Sequence, residues 1–301
     1  MKRVRVTVPA TSANLGPGFD VLGLALSLEN VFEFEEAEGF SVEVEGEGAG
    51  TLPRGKENVV VRGAAAVYAA LSRPFRGLRV SQRNAVPPGR GLGSSATAWL
   101  GGMLGANALC DGALSSETLL DLAVREEGHP DNLAAALYGG LTIAYPDDGH
   151  IRVLKLSVAS GFHFPLLIPD FEAKTVAARA VLPPQLSRED GVFNLARACM
   201  LVGALTTGRH DLLRSAMADR WHQPYRAGLF PWLEAVFSAA REAGALGWAL
   251  SGAGPSVLAV AREQAEKVGA AMLGALERSG MTGRSRVLRV AELGSRVEIF
   301  S

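Results

Sequence analysis

Three glycines separated by single larger residues lie near the middle of this chain, in residues 87–97 (PPGRGLGSSAT). Glycine has no Cβ, so it adopts positive φ angles and lets a ligand approach the backbone closely. The apolar run over residues 96–109 predicts a buried helix directly after the loop, and we expect Ser94 or Ser95 at its N-cap. Free N–H groups and the positive end of a helix dipole bind anions. The segment therefore predicts a phosphate-binding loop.

Two common phosphate-binding motifs do not fit this loop. A P-loop carries Lys and then Ser or Thr after its last glycine, whereas Gly93 is followed directly by Ser94. The glycine spacing also differs from that of the dinucleotide fingerprint. A plain glycine-rich turn before a core helix is the alternative, but three alternating glycines beside two serines favour phosphate binding.

Composition excludes several classes of protein. A chain of 301 residues is long enough for a large core and predicts two lobes. A net charge of −1 gives no reason to expect nucleic acid or an anionic membrane as a partner. We find no transmembrane run and no signal peptide, so we expect a cytoplasmic protein. Cys110 and Cys199 are expected to be buried, reduced thiols, and no Cys/His spacing is typical of zinc.

Two further loops contain residue types that suit a binding site. Residues 9–20 (PATSANLGPGFD) read as a loop in which Asn14 and Asp20 flank a Gly-Pro-Gly turn; a capped turn is the alternative. Residues 250–256 (LSGAGPS) form a second glycine-rich turn between two short strands. Residues 30–36 and 40–46 alternate in polarity and predict an antiparallel pair. The element order predicts an α+β protein whose lobes cover residues 1–150 and 151–301.

Acidic residues and a histidine come together in residues 126–140 (EEGHPDNLAAALYGG). Pro130 suits the first position of a helix, which places Asp131 in its first turn. The ordinary explanation for Asp131 is a favourable interaction with the helix dipole. The ordinary explanation for His129 is a role in the loop or the helix cap. Glu126 and Glu127 end the preceding helix, where the dipole opposes acid. This mismatch favours a role in metal binding.

Taken together, residues 9–20, 87–97 and 250–256 resemble the motifs of the GHMP small-molecule kinases, in the same order along nearly the whole chain. The central segment is similar to that superfamily's Pro-x3-Gly-Leu-Gly-Ser-Ser-Ala loop. Residues 14–20 (NLGPGFD) and 127–132 (EGHPDN) are similar to those of its homoserine kinases. The resemblance implies an N-terminal lobe like ribosomal protein S5 domain 2, a ferredoxin-like C-terminal lobe, and often a homodimer. It implies ATP- and Mg²⁺-dependent phosphorylation of L-homoserine to O-phospho-L-homoserine, on the route to threonine.

The resemblance also assigns roles to residues. Those that would bind ATP are Pro87, Pro88, Gly89, Arg90, Gly91, Leu92, Gly93, Ser94, Ser95, Ala96, Thr97 and, near the base, Asn58. Those that would bind L-homoserine are Asn14, Asp20, His129, Asp131, Asn132, Thr175, Arg179, Arg226 and Gly252. Asp20 and Asn14 would hold the ammonium group, Arg179 and Arg226 the carboxylate, and Asn132 the hydroxyl. Mg²⁺ would be held by Ser95 and Glu127, with Glu126 as the alternative carboxylate, and catalysis would involve Asp131, Asn132, Ser95 and Glu127.

Several alternatives stay open at this point. Asp131 is either a general base or only a substrate ligand. The substrate is either L-homoserine or another alcohol of the superfamily, such as mevalonate or a cytidyl-linked erythritol. A regulator that binds a nucleotide without catalysis is a third reading, and the retained Ser95, Glu127 and Asp131 argue against it.

Overall fold

The computed structural model describes residues 2–173 and 175–300, which form two β-sheets with helices packed against them. The strands are β1 (Arg3–Ala13), β2 (Leu22–Glu36), β3 (Gly39–Gly46), β4 (Gly77–Asn84), β5 (Leu141–Asp147), β6 (His150–Leu156), β7 (Phe164–Pro169), β8 (Gly247–Leu250), β9 (Val257–Val260), β10 (Gly283–Leu288) and β11 (Arg296–Phe300). The helices are α1 (Val59–Ala70), α2 (Ser94–Leu109), α3 (Ser116–Glu127), α4 (Asp131–Tyr138), α5 (Thr175–Ala180), α6 (Arg188–Thr207), α7 (Leu213–Ala216), α8 (Gln223–Arg226), α9 (Leu233–Glu242) and α10 (Ala265–Arg278).

The first sheet has the strand order β11-β1-β2-β4-β3, and the β5–β6 hairpin joins it through β2. Apolar side chains at alternate positions of its strands, such as Phe32 and Phe34, pack against helices α1 to α4 in one buried cluster. Helix α2 is buried around nearly its whole circumference. This confirms the buried helix predicted after the glycine loop.

The second sheet is antiparallel, with the order β10-β7-β9-β8. Leu167 and Val257 contribute to a cluster with Val236 of α9 and Val268 of α10. Another cluster joins apolar residues of β1, β2 and β5 to β7, β9 and helices α6 and α7. This cluster connects the two sheets, and the predicted α+β arrangement is confirmed.

The predicted antiparallel pairing of residues 30–36 with residues 40–46 is wrong. Strand β3 pairs in parallel with β4, and β4 lies between β3 and β2. Helix α1 lies between β3 and β4 in the chain, and parallel neighbours need such a crossover. The helical pattern between β3 and β4 therefore indicated that these two strands pair in parallel. The short separation of β2 and β3 in the sequence was the misleading signal.

The predicted loop over residues 9–20 is also partly wrong, because β1 continues through Pro9 to Ala13. The β1–β2 register shifts between Pro9 and Ala10, at a bulge in the ladder. Proline cannot donate a ladder hydrogen bond and is accommodated at bulges. The loop proper begins at Asn14, whose φ of 69° is left-handed.

Other expectations have mixed outcomes. Cys110 is buried, but Cys199 lies exposed on α6, so the expectation of two buried thiols is wrong for Cys199. The division after residue 150 stays a prediction; it falls at the start of β6, which pairs within the first sheet, and β11 returns to that sheet. Over residues 2–173 and 175–300, no helix has the length and apolar character needed to cross a bilayer.

Candidate functional site

The glycine loop connects β4 to α2, and its carbonyl groups face the protein. The carbonyl oxygens of Gly89, Arg90 and Leu92 accept hydrogen bonds from the N–H groups of Ala173, Ser256 and Thr11, respectively. The Gly91 carbonyl accepts one from the Ser251 hydroxyl at 2.7 Å. The N–H groups of residues 91–95 donate no hydrogen bond to the described residues. A row of free N–H groups at a helix N-terminus is an anion-binding arrangement.

The predicted serine N-cap of α2 is wrong, because Gly93 occupies the N-cap with a left-handed φ of 69° and no side-chain cap. A Cβ at this position would collide with the Thr11 hydroxyl. That hydroxyl donates to Asn132 Oδ1 at 2.7 Å. Glycine is therefore required here both by φ and by the close approach of β1, and Ser94 and Ser95 keep their hydroxyls free of a capping role.

The side chain of Arg90 is tied to the second sheet. Its Nε donates to the Pro169 carbonyl at 2.9 Å, and its Nη2 donates to the Asp170 carbonyl at 2.6 Å. The chain after β7 is thereby held to the glycine loop. The side chain of Arg90 therefore links the glycine loop to the second sheet, and its predicted contact with ATP stays a prediction.

Two cavities meet at the glycine loop. We call the first the polar cavity; it contains every predicted substrate-binding residue and both predicted metal ligands. Its lining includes Asn14, Asp20, Ser95, Glu127, His129, Asp131, Asn132, Thr175, Arg179, Arg226 and Gly252. We call the second the side cavity, of about 180 Å³; it is lined by Asn58, Leu52, Pro53, Val59 and Asn84 among others. Gly89, Ser94 and Ser95 line both cavities.

Asn58 lies in the side cavity with its amide already engaged. Its Oδ1 caps α1 by accepting from the Val60 N–H at 2.9 Å, and its Nδ2 donates to the Pro53 carbonyl at 2.7 Å. Gln82 Nε2 also donates to this Oδ1. Asn58 is therefore the N-cap of α1, and its predicted place near a nucleotide base stays a prediction.

The two predicted metal ligands are in contact. The Ser95 hydroxyl, at the start of α2, donates to Glu127 Oε2 at 2.7 Å. Glu126, the alternative carboxylate, instead pairs with Arg62 at 3.4 Å and is absent from the lining of the polar cavity. Within the described residues, no group of three or more His, Cys, Asp or Glu side chains is placed to hold a metal. Any metal here would need oxygen ligands from elsewhere.

Asp131 is 2% exposed and begins α4. Its Oδ1 accepts from the Asn132 N–H at 2.7 Å and lies 3.0 Å from His129 Nδ1. Burial is the largest influence on His129 and opposes the charged imidazolium, but the hydrogen bond to Asp131 and the negative charges of Asp131 and Glu127 together outweigh it, so the pKa of His129 is raised. Pro130 is the N-cap of α4 rather than the predicted first helical residue. Asp131 therefore organises both neighbours at the floor of the polar cavity.

Arg179 and Arg226, two of the three arginines that line the polar cavity, differ in their surroundings. Arg179 Nη1 and Nη2 bond to the two oxygens of Asp20 at 2.9 and 2.6 Å. Arg226 is 1% exposed, and burial followed by repulsion from Arg179 lowers its pKa to about 10. Both guanidinium groups lie over the Phe19 ring, at 5.5 and 5.6 Å from its centre. Their common position against one aromatic ring brings two cations to one side of the cavity.

Asn14 and Gly252 connect the two sheets beneath the arginines. Asn14 Nδ2 donates to the Gly252 carbonyl at 3.0 Å, and its Oδ1 accepts from the Asp20 N–H at 3.0 Å. Arg226 Nη1 donates to the same carbonyl at 2.9 Å. The glycine-rich turn over residues 250–256, which contains Gly252, thus positions both the Asp20 turn and Arg226.

Three residues in this region escaped the sequence analysis: Thr11, Phe19 and His222. Thr11 and Phe19 lie in residues 9–20, for which the sequence predicts a loop. A loop prediction does not indicate the contact of Thr11 with Asn132 or that of Phe19 with Arg179. His222 lies four residues before Arg226, and this spacing on a helical turn brings side chains together. That spacing was the available signal.

Family models and relatives agree on the identity of the fold. The model of the GHMP kinases N terminal domain matches residues 58–140, and that of the GHMP kinases C terminal domain matches residues 201–277. A homoserine kinase from Moorella thermoacetica is 46% identical over 92% of this chain and 93% of its own. One from Synechococcus is 45% identical over 98% of both chains. The chain belongs to the homoserine kinase family.

Solved structures place this member of the homoserine kinase family in the same fold. The homoserine kinase of Cytophaga hutchinsonii superimposes with a TM-score of 0.88 at 30% identity, covering 98% of this chain and 97% of that one. The L. major mevalonate kinase in complex with R-mevalonate shares the fold with a TM-score of 0.72 at 17% identity, covering 95% of each chain. The family assignment confirms the resemblance noted in the sequence and the two-lobed GHMP kinase fold.

Proposed function

We propose that this chain transfers the γ-phosphoryl group of ATP to the hydroxyl of L-homoserine, giving O-phospho-L-homoserine and ADP. The observation that carries the proposal is the row of free N–H groups at residues 91–95, between two cavities. The polar cavity contains Asp20, which matches the ammonium group of an amino acid, and Arg179 and Arg226, which match its carboxylate. Phosphoryl transfer needs mainly positioning and neutralisation of charge, and this arrangement offers both.

The nucleotide would lie across the glycine loop. Its phosphates would accept hydrogen bonds from the N–H groups of residues 91–95, which need no reorganisation to receive them. Its base would enter the side cavity, which contains Asn58 and is open at Ser94 and Ser95. Because the amide of Asn58 is already bonded within the protein, this residue would shape the cavity rather than recognise the base by itself.

Mg²⁺ would be held by Ser95 and Glu127. Their oxygens are 2.7 Å apart at the edge of the polar cavity, and Mg²⁺ prefers oxygen ligands while keeping several waters. One carboxylate and one hydroxyl therefore suffice when phosphate oxygens complete the site. When bound, the ion would neutralise phosphate charge and orient the transferred group.

The substrate zwitterion would bind where Asp20 and Arg179 now neutralise each other. The substrate's ammonium group would bind the carboxylate of Asp20 and the side chain of Asn14. The substrate's carboxylate would bind Arg179 and Arg226. The exchange keeps the charge of the cavity balanced at each end of the ligand. Thr175 lines the same cavity at the start of α5.

The hydroxyl of the substrate would lie beside Asn132, with His129 and Asp131 nearby. The Thr11 hydroxyl donates to Asn132 Oδ1, and Asn132 Nδ2 donates one hydrogen to Asp131 Oδ1 at 3.4 Å, so the second hydrogen of Nδ2 would bind the ligand. Asp131 already orients Asn132 and His129 through Oδ1. Two roles stay open for it, as a general base through Oδ2 or as a substrate ligand with catalysis by charge stabilisation alone. A pH–rate profile of Asp131→Asn distinguishes them, since only loss of a base removes the acidic limb.

Release of ADP, measured side by side with L-homoserine, L-serine, L-threonine and mevalonate, tests the proposed function. We expect turnover with L-homoserine and at least about a hundredfold lower kcat/KM with mevalonate, which lacks the ammonium group. Preference for mevalonate would assign a different member of the superfamily. Binding of ATP without turnover on any of the four would assign a non-catalytic role. The expected homodimer is tested separately by sedimentation.

A further inference from the structure

His222 is completely buried beside the polar cavity, at the N-cap of α8. Its Nε2 lies 2.8 Å from the Gly16 carbonyl oxygen, and its Nδ1 lies 3.1 Å from Arg226 Nη1. A carbonyl oxygen only accepts, so Nε2 carries the proton. Nδ1 is then left with a lone pair, which accepts from the arginine. Both neighbours therefore require the same neutral tautomer.

Arg226 has five N–H bonds, and three of them end on acceptors inside the protein. Nε donates to the Ala178 carbonyl at 3.1 Å. Nη1 donates to the Gly252 carbonyl and to His222 Nδ1, so both of its hydrogens are used. The two hydrogens of Nη2 have no acceptor among residues 2–173 and 175–300, and Arg226 lines the polar cavity. The guanidinium is thus held through Nε and Nη1, and Nη2 is free to bind a ligand.

We propose that His222 is a positioning residue, which fixes the guanidinium plane of Arg226 so that Nη2 is presented to the carboxylate of the amino-acid substrate. The inference rests on the proposed function, in which Arg226 binds that carboxylate. Without an acceptor at Nδ1, one hydrogen of Nη1 would be buried unpaired. The guanidinium would then turn to satisfy it, and Nη2 would leave its position.

The local backbone does not depend on the imidazole ring. The buried carboxylate of Asp219 accepts from the N–H groups of Trp221, His222 and Gln223 at 2.8, 3.0 and 2.7 Å, respectively. These bonds hold the turn that carries residue 222. The ring can therefore be changed while the turn keeps its main support.

Two amide substitutions separate the two hydrogen bonds of the ring. In His222→Asn the Oδ1 atom takes the place of Nδ1, so the acceptor for Arg226 is kept and the contact with Gly16 is lost. In His222→Gln the Nε2 atom takes the place of the ring Nε2, so the contact with Gly16 is kept and the acceptor is lost. Both variants bury a neutral amide, so any shared loss of stability cancels in their comparison.

The measurement is the dissociation constant of L-homoserine by calorimetry, without nucleotide, followed by KM and kcat with ATP. We expect His222→Gln to weaken L-homoserine binding about tenfold or more and His222→Asn to stay within about threefold of the unaltered chain. KM for ATP should not change in either. With Arg226→Lys as background, the difference between the two variants should disappear, because the effect acts through the arginine.

Three outcomes would overturn the inference. One is equal weakening in the two variants, another is the reverse order, and the third is a difference that persists in Arg226→Lys. Failure of the unaltered chain to bind L-homoserine at all would overturn the proposed function instead, and with it the substrate that this inference needs.

Discussion

Arg179 and Asp20 form a two-point ion pair at the edge of the polar cavity, with Nη–Oδ distances of 2.6 and 2.9 Å. The aspartate belongs to the turn before β2 and the arginine to α5. The hydrogen bonds that Arg179 donates to Asp20 raise the pKa of Arg179, against the opposing effect of burial. The two groups proposed for opposite ends of a zwitterion therefore neutralise each other until a ligand separates them.

Asp20→Asn tests this exchange. The variant removes the partner for the ammonium group and leaves Arg179 unpaired beside Arg226, so KM for L-homoserine should rise about tenfold or more while KM for ATP stays constant. Asp211→Asn is the matched control, because Asp211 makes the same two-point pair with Arg209 on the surface. Equal KM values in Asp20→Asn and the unaltered chain would remove Asp20 from the site.

Arg226→Ala should raise KM for L-homoserine strongly and leave the affinity for ATP nearly unchanged, because the guanidinium faces the polar cavity and not the phosphate loop. Arg220→Ala is the control; Arg220 also lies over an aromatic ring, that of Phe193, but pairs with Glu189 at the surface. Steady-state kinetics on both variants decide the matter. An unchanged KM in Arg226→Ala would contradict the assignment.

Glu127→Gln should lower kcat about a hundredfold or more and raise the Mg²⁺ concentration needed for half-maximal rate, because a neutral amide is a poorer ligand than a carboxylate. Glu126→Gln should behave like the unaltered chain, since Glu126 pairs with Arg62 instead. Rates measured over a Mg²⁺ titration compare the two. If Glu126→Gln is the more damaged variant, the metal ligand has been misassigned.

Gly93→Ala should lower the melting temperature more than Gly112→Ala. Both glycines have a φ of 69°, so the backbone strain of an added Cβ is matched. A Cβ at residue 93 meets the Thr11 hydroxyl, whereas one at residue 112 meets open space. Calorimetric unfolding of both variants isolates the collision, and equal melting temperatures would show that β1 can move away from the loop.

Acid should destabilise the fold through His222. Burial lowers its pKa from the ordinary 6.5 to about 4; nearby Asp219 and Asp20 favour the charged form and Arg226 opposes it. Between these two values His222 is protonated in the unfolded chain and neutral in the folded chain. The free energy of unfolding therefore falls as the pH drops from about 6.5 to about 4. His222→Asn cannot titrate, so its melting temperature should fall less over that interval. Parallel curves for the two proteins would show that His222 does not contribute.

Local sequence patterns predicted the glycine loop better than they predicted the pairing of strands in the first sheet. The glycine loop and the buried helix after it followed from short segments of chain, whereas Thr175, Arg179 and Arg226 were assigned to the site only through the family resemblance. The predicted pairing of β2 with β3 and the predicted serine cap were wrong, because each was decided by a more distant part of the chain. A crossover helix places β4 beside β3, and Thr11 lies against Gly93. Contacts such as Gly16 with His222 join residues far apart in the chain, and periodicity carries no information about them.

Because β11 pairs with β1, the first sheet is completed only after β11 has been synthesised. Residues 3–7 pair with residues 296–300, so β1 lacks one of its two neighbours until residues 296–300 have been synthesised. Closing so long a loop is a late and entropically unfavourable step. Until then β1 has an open edge, a place where a chaperone or another nascent chain can add a strand. Among the strands of the first sheet, β1 is synthesised first and the neighbour that covers its open edge is synthesised last.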